Sequence, residues 1–447
     1  MSQTATTNPP FAVAGAPVRD DVAPAREVPP PLVSEDWLAV LVGAALIALM
    51  LIGVRPATPR FAWGTAQAPL GGLVSADNAA RTVQTVVFVL GPLIAGAAVL
   101  RADMLRFIPG ALFLYGLGWL AQAMAGHVSA AGFGLEYVIF ALAIGLLVNH
   151  TVGVPAWLRE SLRTEYYIKT GLVVLGAQIL FDEIVGAGAL GIMQALIVVV
   201  SVWAFAFWLA RRLRVDDEMA TMLASAVSIC GVSAAIATCG AIQGDKKKLS
   251  YVTSLVLLVA MPMLVLMPLA AKALGMTPVV AGAWLGGTLD TSAAVVAAGE
   301  LLGDTGRNAA VVVKLSQNAL IGFAAFFLTI WWAMRHEGGK HGASVGLIWE
   351  RFPKFVFGFL LTSMLFSFVL SDATVSATRG LVNDVRTVLF AIAFVSIGLE
   401  TSLRSVVSTG GGRPAAAFLG SQAFNVIVTL IAAYAFFGGL LFALPNL

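Results

Sequence analysis

From Trp37 to the C-terminus, long apolar runs alternate with short breaks rich in Gly, Pro, Arg and Lys. The runs are nearly continuous, not striped at the helical period, and are long enough for helices that cross a bilayer. They predict spans at about 37–54, 82–100, 107–125, 135–149, 166–182, 189–210, 249–274, 308–334, 352–370, 387–402 and 414–436. Two further apolar segments, about 219–244 and 279–303, differ from these: both are dense in Gly, Ala, Ser and Thr.

Composition agrees with the pattern. The chain is 59% hydrophobic and 11% charged, with a mean hydropathy of +0.90, whereas a soluble chain carries about 25% charged residues. The fold class is an all-α polytopic membrane protein. A net charge of +3 gives no reason to expect nucleic acid. Cys230 and Cys239 form neither a disulfide framework nor a metal spacing and read as small packing residues. Residues 1–36, rich in Pro and Ala, read as a disordered cytoplasmic tail with no signal peptide. Residues 37–54 are the first helix, 55–80 an external loop, and 81–447 the main transmembrane domain.

Charge sets the expected topology, because Lys and Arg collect in cytoplasmic loops. The segment 219–244 lies between "RRLR" and "DKKK". Both flanks belong inside, so the segment is expected to enter and return as a re-entrant hairpin. Applied to 279–303, the same reasoning keeps Arg335, Lys340, Arg351 and Lys354 inside. Inside loops then hold 18 of the 27 Lys and Arg, outside loops hold 7, and Lys169 and Lys314 fall within spans. The expectation is about 11 transmembrane helices plus two re-entrant hairpins, with the N-terminus inside; the alternative is thirteen ordinary spans.

The two unusual segments also repeat. Ser233–Asp245 and Ser292–Asp304 share six of thirteen positions, including Gly240/Gly299 and a closing Gly-Asp. One span separates them, so they would enter from opposite faces. A weaker repeat sets "RTEYYIKTGLVVLGAQI" against "RTVLFAIAFVSIGLET", placing Gln178 opposite Glu400. Inverted repeats with broken helices near the midplane are the build of secondary transporters.

The chemistry follows from the breaks. Irregular backbone at membrane depth occurs where it lines protein or a water-filled cavity, and a half-helix N-terminus attracts anions. Ser228, Ser233, Thr288, Thr291 and Ser292 add hydroxyls, and Gly231, Gly286 and Gly287 allow close approach to the backbone. For any one of these, back-bonding within the helix or close helix packing is an equal reading. Lys314 lies deep in its span, where a charge costs about 2.5–3.5 kcal/mol. It would face an anion, titrate with transport, or pair with Asp290 or Glu400. Asn318 shares its helix face. Asp290, Glu400 and Gln178 are candidates for coupling H+ or Na+. No catalytic set, metal-ligand cluster, cofactor motif or Walker sequence is visible.

The stretches "RTEYYIKTGLVVLGAQILF", "SICGVSAA", "DTSAAVVAAG" and "VKLSQNALIG" resemble the YeiH family of sulfate exporters, grouped with the cation:proton antiporter and anion transporter superfamily. The resemblance runs from about Trp37 to the C-terminus. It implies an inverted-repeat fold with two broken elements crossing at the site, and it maps the family's small-residue motifs onto Cys230, Gly231, Ser233, Asp290, Thr291, Ser292 and Lys314. Many members have His before the Asp of the second motif; here that residue is Leu289.

The expected function is a secondary active transporter exporting a small inorganic anion, sulfate or a related sulfur oxyanion, across the bacterial inner membrane. The alternatives are a cation:proton antiporter of the same fold with Asp290 carrying the cation, and an intramembrane enzyme or Na+-pumping decarboxylase subunit. The expected partners are the anion, the lipid bilayer and a second copy in a homodimer.

Overall fold

The apolar runs become helices, and their polar ends cap them. In a computed structural model of the chain, the described residues are 33–65, 68–132, 136–179, 181–336, 349, 352–401 and 412–443. The tail expected over residues 1–36 lies outside them except for its last four residues. The principal helices are α1 (Glu35–Leu51), α2 (Ala76–Val99), α3 (Met104–Ala125), α4 (Tyr137–Thr151), α5 (Thr164–Leu175), α6 (Phe181–Arg212), α7 (Asp217–Ser225), α8 (Gly231–Ile242) and α9 (Lys246–Ala273). There follow α10 (Pro278–Thr288), α11 (Ser292–Glu300), α12 (Gly303–His336), α13 (Lys354–Met364), α14 (Asp372–Glu400) and α15 (Arg413–Phe437). No β-strand occurs among the described residues. Ser34, Ser75, Asp103, Asp216, Asp245, Thr291 and Ser371 each accept a backbone N–H in the first turn of the helix they open, which satisfies donors that helix ends leave bare. The Ser371 cap starts α14 at Asp372, so the stretch before 387, expected to be a loop, is helical.

Eight helical stretches among the described residues are long and apolar enough to cross a membrane by length and composition. The protein is an all-helical, multi-pass membrane protein. Tyr137–Thr151 and Lys354–Val369 are shorter apolar helices, and α1 and α5 have 17 and 12 residues. The helices form two packing groups. In one, α14 packs on α3, α4 and α5, and α1 packs on α5 and α13. In the other, α12 packs on α6, α10 and α11, and α15 on α6 and α10. Glycines set the closest approaches within each group. A Cβ on Gly398 would lie 2.5 Å from the Leu142 carbonyl, and one on Gly286 would lie 2.4 Å from that of Ala310. Small residues at such crossings let helix backbones meet.

One of the eight stretches, Asp217–Ile242, turns back on itself. A straight helix of 26 residues would hold its ends about 39 Å apart. Instead the Asp245 N–H donates to Glu218 Oε1 at 2.7 Å, and Lys248 Nζ reaches Asp216 Oδ1 at 2.7 Å and Glu218 Oε2 at 2.5 Å. The chain reverses at a widened helical turn, Ala226–Cys230, followed by Gly231 at φ +45°. The second broken element, α10–α11, has the same shape. A Cβ on Gly306 would lie 3.2 Å from the Pro278 carbonyl, and Gly282 faces Gly306 and Ala309. Thus α10 and α12 start together and run side by side. Meanwhile α11 returns along α12, with Gly299 against Arg307 and Ser292 against Asn318. Helix α9, 28 residues long, joins the two hairpins. Their bases therefore lie at opposite ends of the bundle and their tips meet between.

Candidate functional site

The tips are in contact. Cys230 Sγ lies 3.9 Å from Ser292 Oγ, and a Cβ built on Gly231 would lie 3.0 Å from the Asp290 carbonyl and 2.6 Å from Val256 Cγ1. Gly231 therefore combines a positive φ with no room for a side chain. Gly231→Ala is expected to displace the tip and to cost about 1–3 kcal/mol. A fall in the unfolding midpoint of the purified variant would register it, and an unchanged midpoint would show that the tip is slack.

Breaking two helices strands carbonyls at the ends of α7 and α10, and buried groups of this kind need partners. The structure supplies them from α12 and α15. Lys314 Nζ donates to Ile229 O at 2.7 Å, Leu289 O at 2.8 Å and Gln317 Oε1 at 2.9 Å. Gln317 Nε2 donates to Ser228 O at 2.8 Å and Gly287 O at 3.3 Å. Asn425 Nδ2 reaches Val227 O at 3.1 Å and Thr288 O at 3.2 Å, and Gln422 Nε2 reaches Thr288 O at 3.0 Å. Three successive carbonyls of each tip are thus bound, 227–229 and 287–289. The one cation among these donors sits where two half-helix dipoles present their negative ends.

The other half of each break presents N–H groups. The N-terminus of α8 has no side-chain cap, whereas Thr291 caps α11 by accepting the Ala294 N–H at 3.1 Å. Two cavities reach these N-termini. The larger, ≈ 730 Å³, is lined by Cys230, Ser233, Ser292 and Asn318, and by Asp36, Glu165, Lys169 and Lys354 from the other packing group. The exposed Trp37, Ile236 and Trp349 also line it. Asn318 is buried; its Nδ2 donates to Ser292 Oγ at 3.0 Å, and its Oδ1 has no partner. The second cavity, ≈ 350 Å³, shares Ser233, Glu165 and Lys169 and adds Thr164, Thr291 and Glu400.

The chain matches the family described as Conserved hypothetical protein 698 over residues 109–417. The chain belongs to this family. It is 40% identical over 332 residues to a UPF0324 membrane protein of Rhodopirellula baltica, an alignment covering 72% of this chain and 61% of that protein. It is 38% identical over 375 residues to a UPF0324 membrane protein of Nitratidesulfovibrio vulgaris, covering 80% and 65%. With a UPF0324 membrane protein of Nitrosomonas europaea it shares 30% over 332 residues, 66% of each chain. The chain spans less than two thirds of the length of the first two relatives. No solved structure matches it.

Within this UPF0324 protein the anticipated site residues divide into groups. Cys230, Ser233, Ser292 and Asn318 line the larger cavity, and Thr291 the smaller. Gly231 shapes the tip. Ser228 is fully buried, and its hydroxyl points back to the Ser225 carbonyl at 3.5 Å. Thr288 and Asp290 are buried in the tip; the Thr288 hydroxyl lacks a hydrogen-bond partner, and the Asp290 carboxylate makes no hydrogen bond of normal geometry, with the Gln422 amide and Lys314 as its polar neighbours. Lys314 lines neither cavity; its three hydrogens go to carbonyl oxygens of the tips and to Gln317. Glu400 Oε2 accepts the Thr164 hydroxyl at 3.0 Å. Gln178 Nε2 reaches Asn383 at 3.4 Å. Helices α5 and α14 are antiparallel, so the repeat partners Gln178 and Glu400 lie at opposite ends of the pair.

Several functional candidates escaped the sequence reading. Gln317, Gln422 and Asn425 act through amides, which carry no charge signal in an apolar run. Lys169 did carry one: it is a lysine in "YYIKTGLVV", and it binds Asp36 at 2.8 Å and Glu165 at 3.5 Å on the cavity wall. Intramembrane charge was reason enough to single it out.

Proposed function

We propose that this UPF0324 protein is a secondary transporter for a small inorganic anion, with sulfate or a related sulfur oxyanion as first choice. The observation that carries the reading is the pair of broken helices. They start from opposite ends of the bundle, their C-terminal carbonyls are neutralised by Lys314, Gln317, Gln422 and Asn425, and their N-termini reach a cavity. That polarity suits a negative ligand. Lys169 and Lys354 add positive charge to the cavity wall, balanced by Asp36 and Glu165. The resemblance to the YeiH family points the same way.

In this reading α1–α6, α9 and α12–α15 make eleven crossings and the two hairpins are re-entrant. The end bearing Arg163, Lys248 and Trp349 faces the cytoplasm, as the distribution of Lys and Arg suggests. The protein lies in the bacterial inner membrane, and the hairpin-bearing group moves against the other. Asp290 is the first candidate for coupling H+ or Na+, and Glu400 the second. Radiolabelled sulfate counterflow in proteoliposomes tests the proposal. Uptake into sulfate-loaded vesicles, competed by other sulfur oxyanions, is the expected result; no uptake in vesicles that dissipate a Na+ or proton gradient would overturn it.

A second reading, a cation:proton antiporter of this fold, is favoured by one feature. Asp290 is a buried carboxylate at the tip that makes no hydrogen bond of normal geometry, with the Gln422 amide and Lys314 beside it, a place for a proton or a metal cation. Anion-independent, Na+-driven proton movement would select it.

A further inference from the structure

At the end of α11 away from the cavities lies a buried charge cluster that the anion site does not use. Glu300, the last residue of α11, bonds Arg386 on α14 through Oε1 and approaches Arg307 on α12 at 3.5 Å through Oε2. Arg307 also binds Asp304 at 2.6 Å and Asn308 at 3.2 Å, and Arg386 binds Asn383 at 2.7 Å. Glu300, Arg307 and Arg386 are 8%, 3% and 3% exposed, while the Asp304 side chain is 84% exposed. The surface is thus one residue away from a dry ion pair.

We infer that the Glu300–Arg386 pair is the latch that holds the site shut on the side opposite the two cavities. The inference rests on the transport reading and adds the closing element. Two observations support it. First, the pair joins the packing groups: Arg386 belongs to the group of α14, and Glu300 to the hairpin whose other end, Ser292, forms the cavity floor. A nine-residue helix, about 13 Å long, links latch to floor. Second, both cavities lie between the same two groups and are lined by residues at the opposite end of the bundle, among them Trp37, Lys169, Trp349 and Glu400. Parting the groups at one end and closing them at the other exchanges access.

Cys230 on the cavity floor is a native reporter. The test applies a membrane-impermeant maleimide to each face of oriented vesicles carrying the full chain with Cys239→Ser. The latched protein is expected to be labelled at Cys230 from the cavity side and only slowly from the other. Glu300→Gln should raise labelling from the latch side by about tenfold or more. Glu300→Asp, which keeps the carboxylate facing both Arg386 and Arg307, should stay much closer to the original rate. If Glu300→Gln does not fold, Arg386→Lys loosens the pair while keeping the charge and should raise labelling in the same direction. Equal labelling from both faces in the starting protein, or an unchanged latch-side rate in a folded variant, would overturn the latch. Absence of sulfate flux with this labelling pattern intact would remove the anion reading and leave the latch standing.

Discussion

Lys314→Met is expected to destabilise the protein substantially and not merely to weaken anion binding. The ammonium has three hydrogens, and all three are engaged, by Ile229 O, Leu289 O and Gln317 Oε1. Removing it leaves two buried carbonyls bare at about 1–3 kcal/mol each. It also removes the one positive charge at the junction of two half-helix ends. Methionine fills a similar length but supplies no donor. Unfolding of the purified variant, followed by intrinsic fluorescence in detergent, should show a loss of about 2–6 kcal/mol. A variant of unchanged stability that had lost sulfate binding would instead make Lys314 an anion ligand, the role its depth in an apolar span first suggests.

Asp290→Asn is expected to have the opposite signature: stability kept or raised, coupling lost. Asp290 is 2% exposed, and its carboxylate makes no hydrogen bond of normal geometry, with the Gln422 amide and the Lys314 ammonium as its polar neighbours. An ionised carboxylate so placed is costly, whereas an amide carries no charge to desolvate. The variant should fold at least as well as the starting protein. If Asp290 takes the coupling H+ or Na+, sulfate exchange should persist while its response to an imposed gradient disappears. Flux assays with and without a Na+ or pH gradient measure this directly. A variant that keeps its full gradient response would move coupling to Glu400, which lines the smaller cavity beside Thr291.

The two variants divide the site by charge, and the division explains which parts were legible beforehand. "SICGVSAA" and "LDTSAAVV" stand out because Gly, Ser and Asp interrupt apolar runs, and the tips fall there. Lys314 was conspicuous for the same reason, since a charge in hydrocarbon must have a partner. Its partners were not legible, because carbonyls are identical at every residue. Only the meeting of two broken helices leaves six of them in reach of α12 and α15. Gln317, Gln422 and Asn425 escaped because an amide in an apolar helix reads equally as packing.

The sequence by itself determined the class of the protein. Apolar runs cross or enter a bilayer whatever their neighbours do, because every backbone group there must be bonded within the segment. It also determined where the two irregular elements lie, since Gly and hydroxyl residues relax the helix locally. The tertiary structure decided the rest. It set tip against tip at 3.9 Å and brought Glu300 and Arg386, 86 residues apart in the chain, into one buried pair. It also turned Lys314 away from the cavities and sent Gln178 and Glu400 to opposite ends of a helix pair. These outcomes depend on which helices pack together. A hydropathy pattern does not encode that choice, because in the bilayer nearly every face of every helix is apolar.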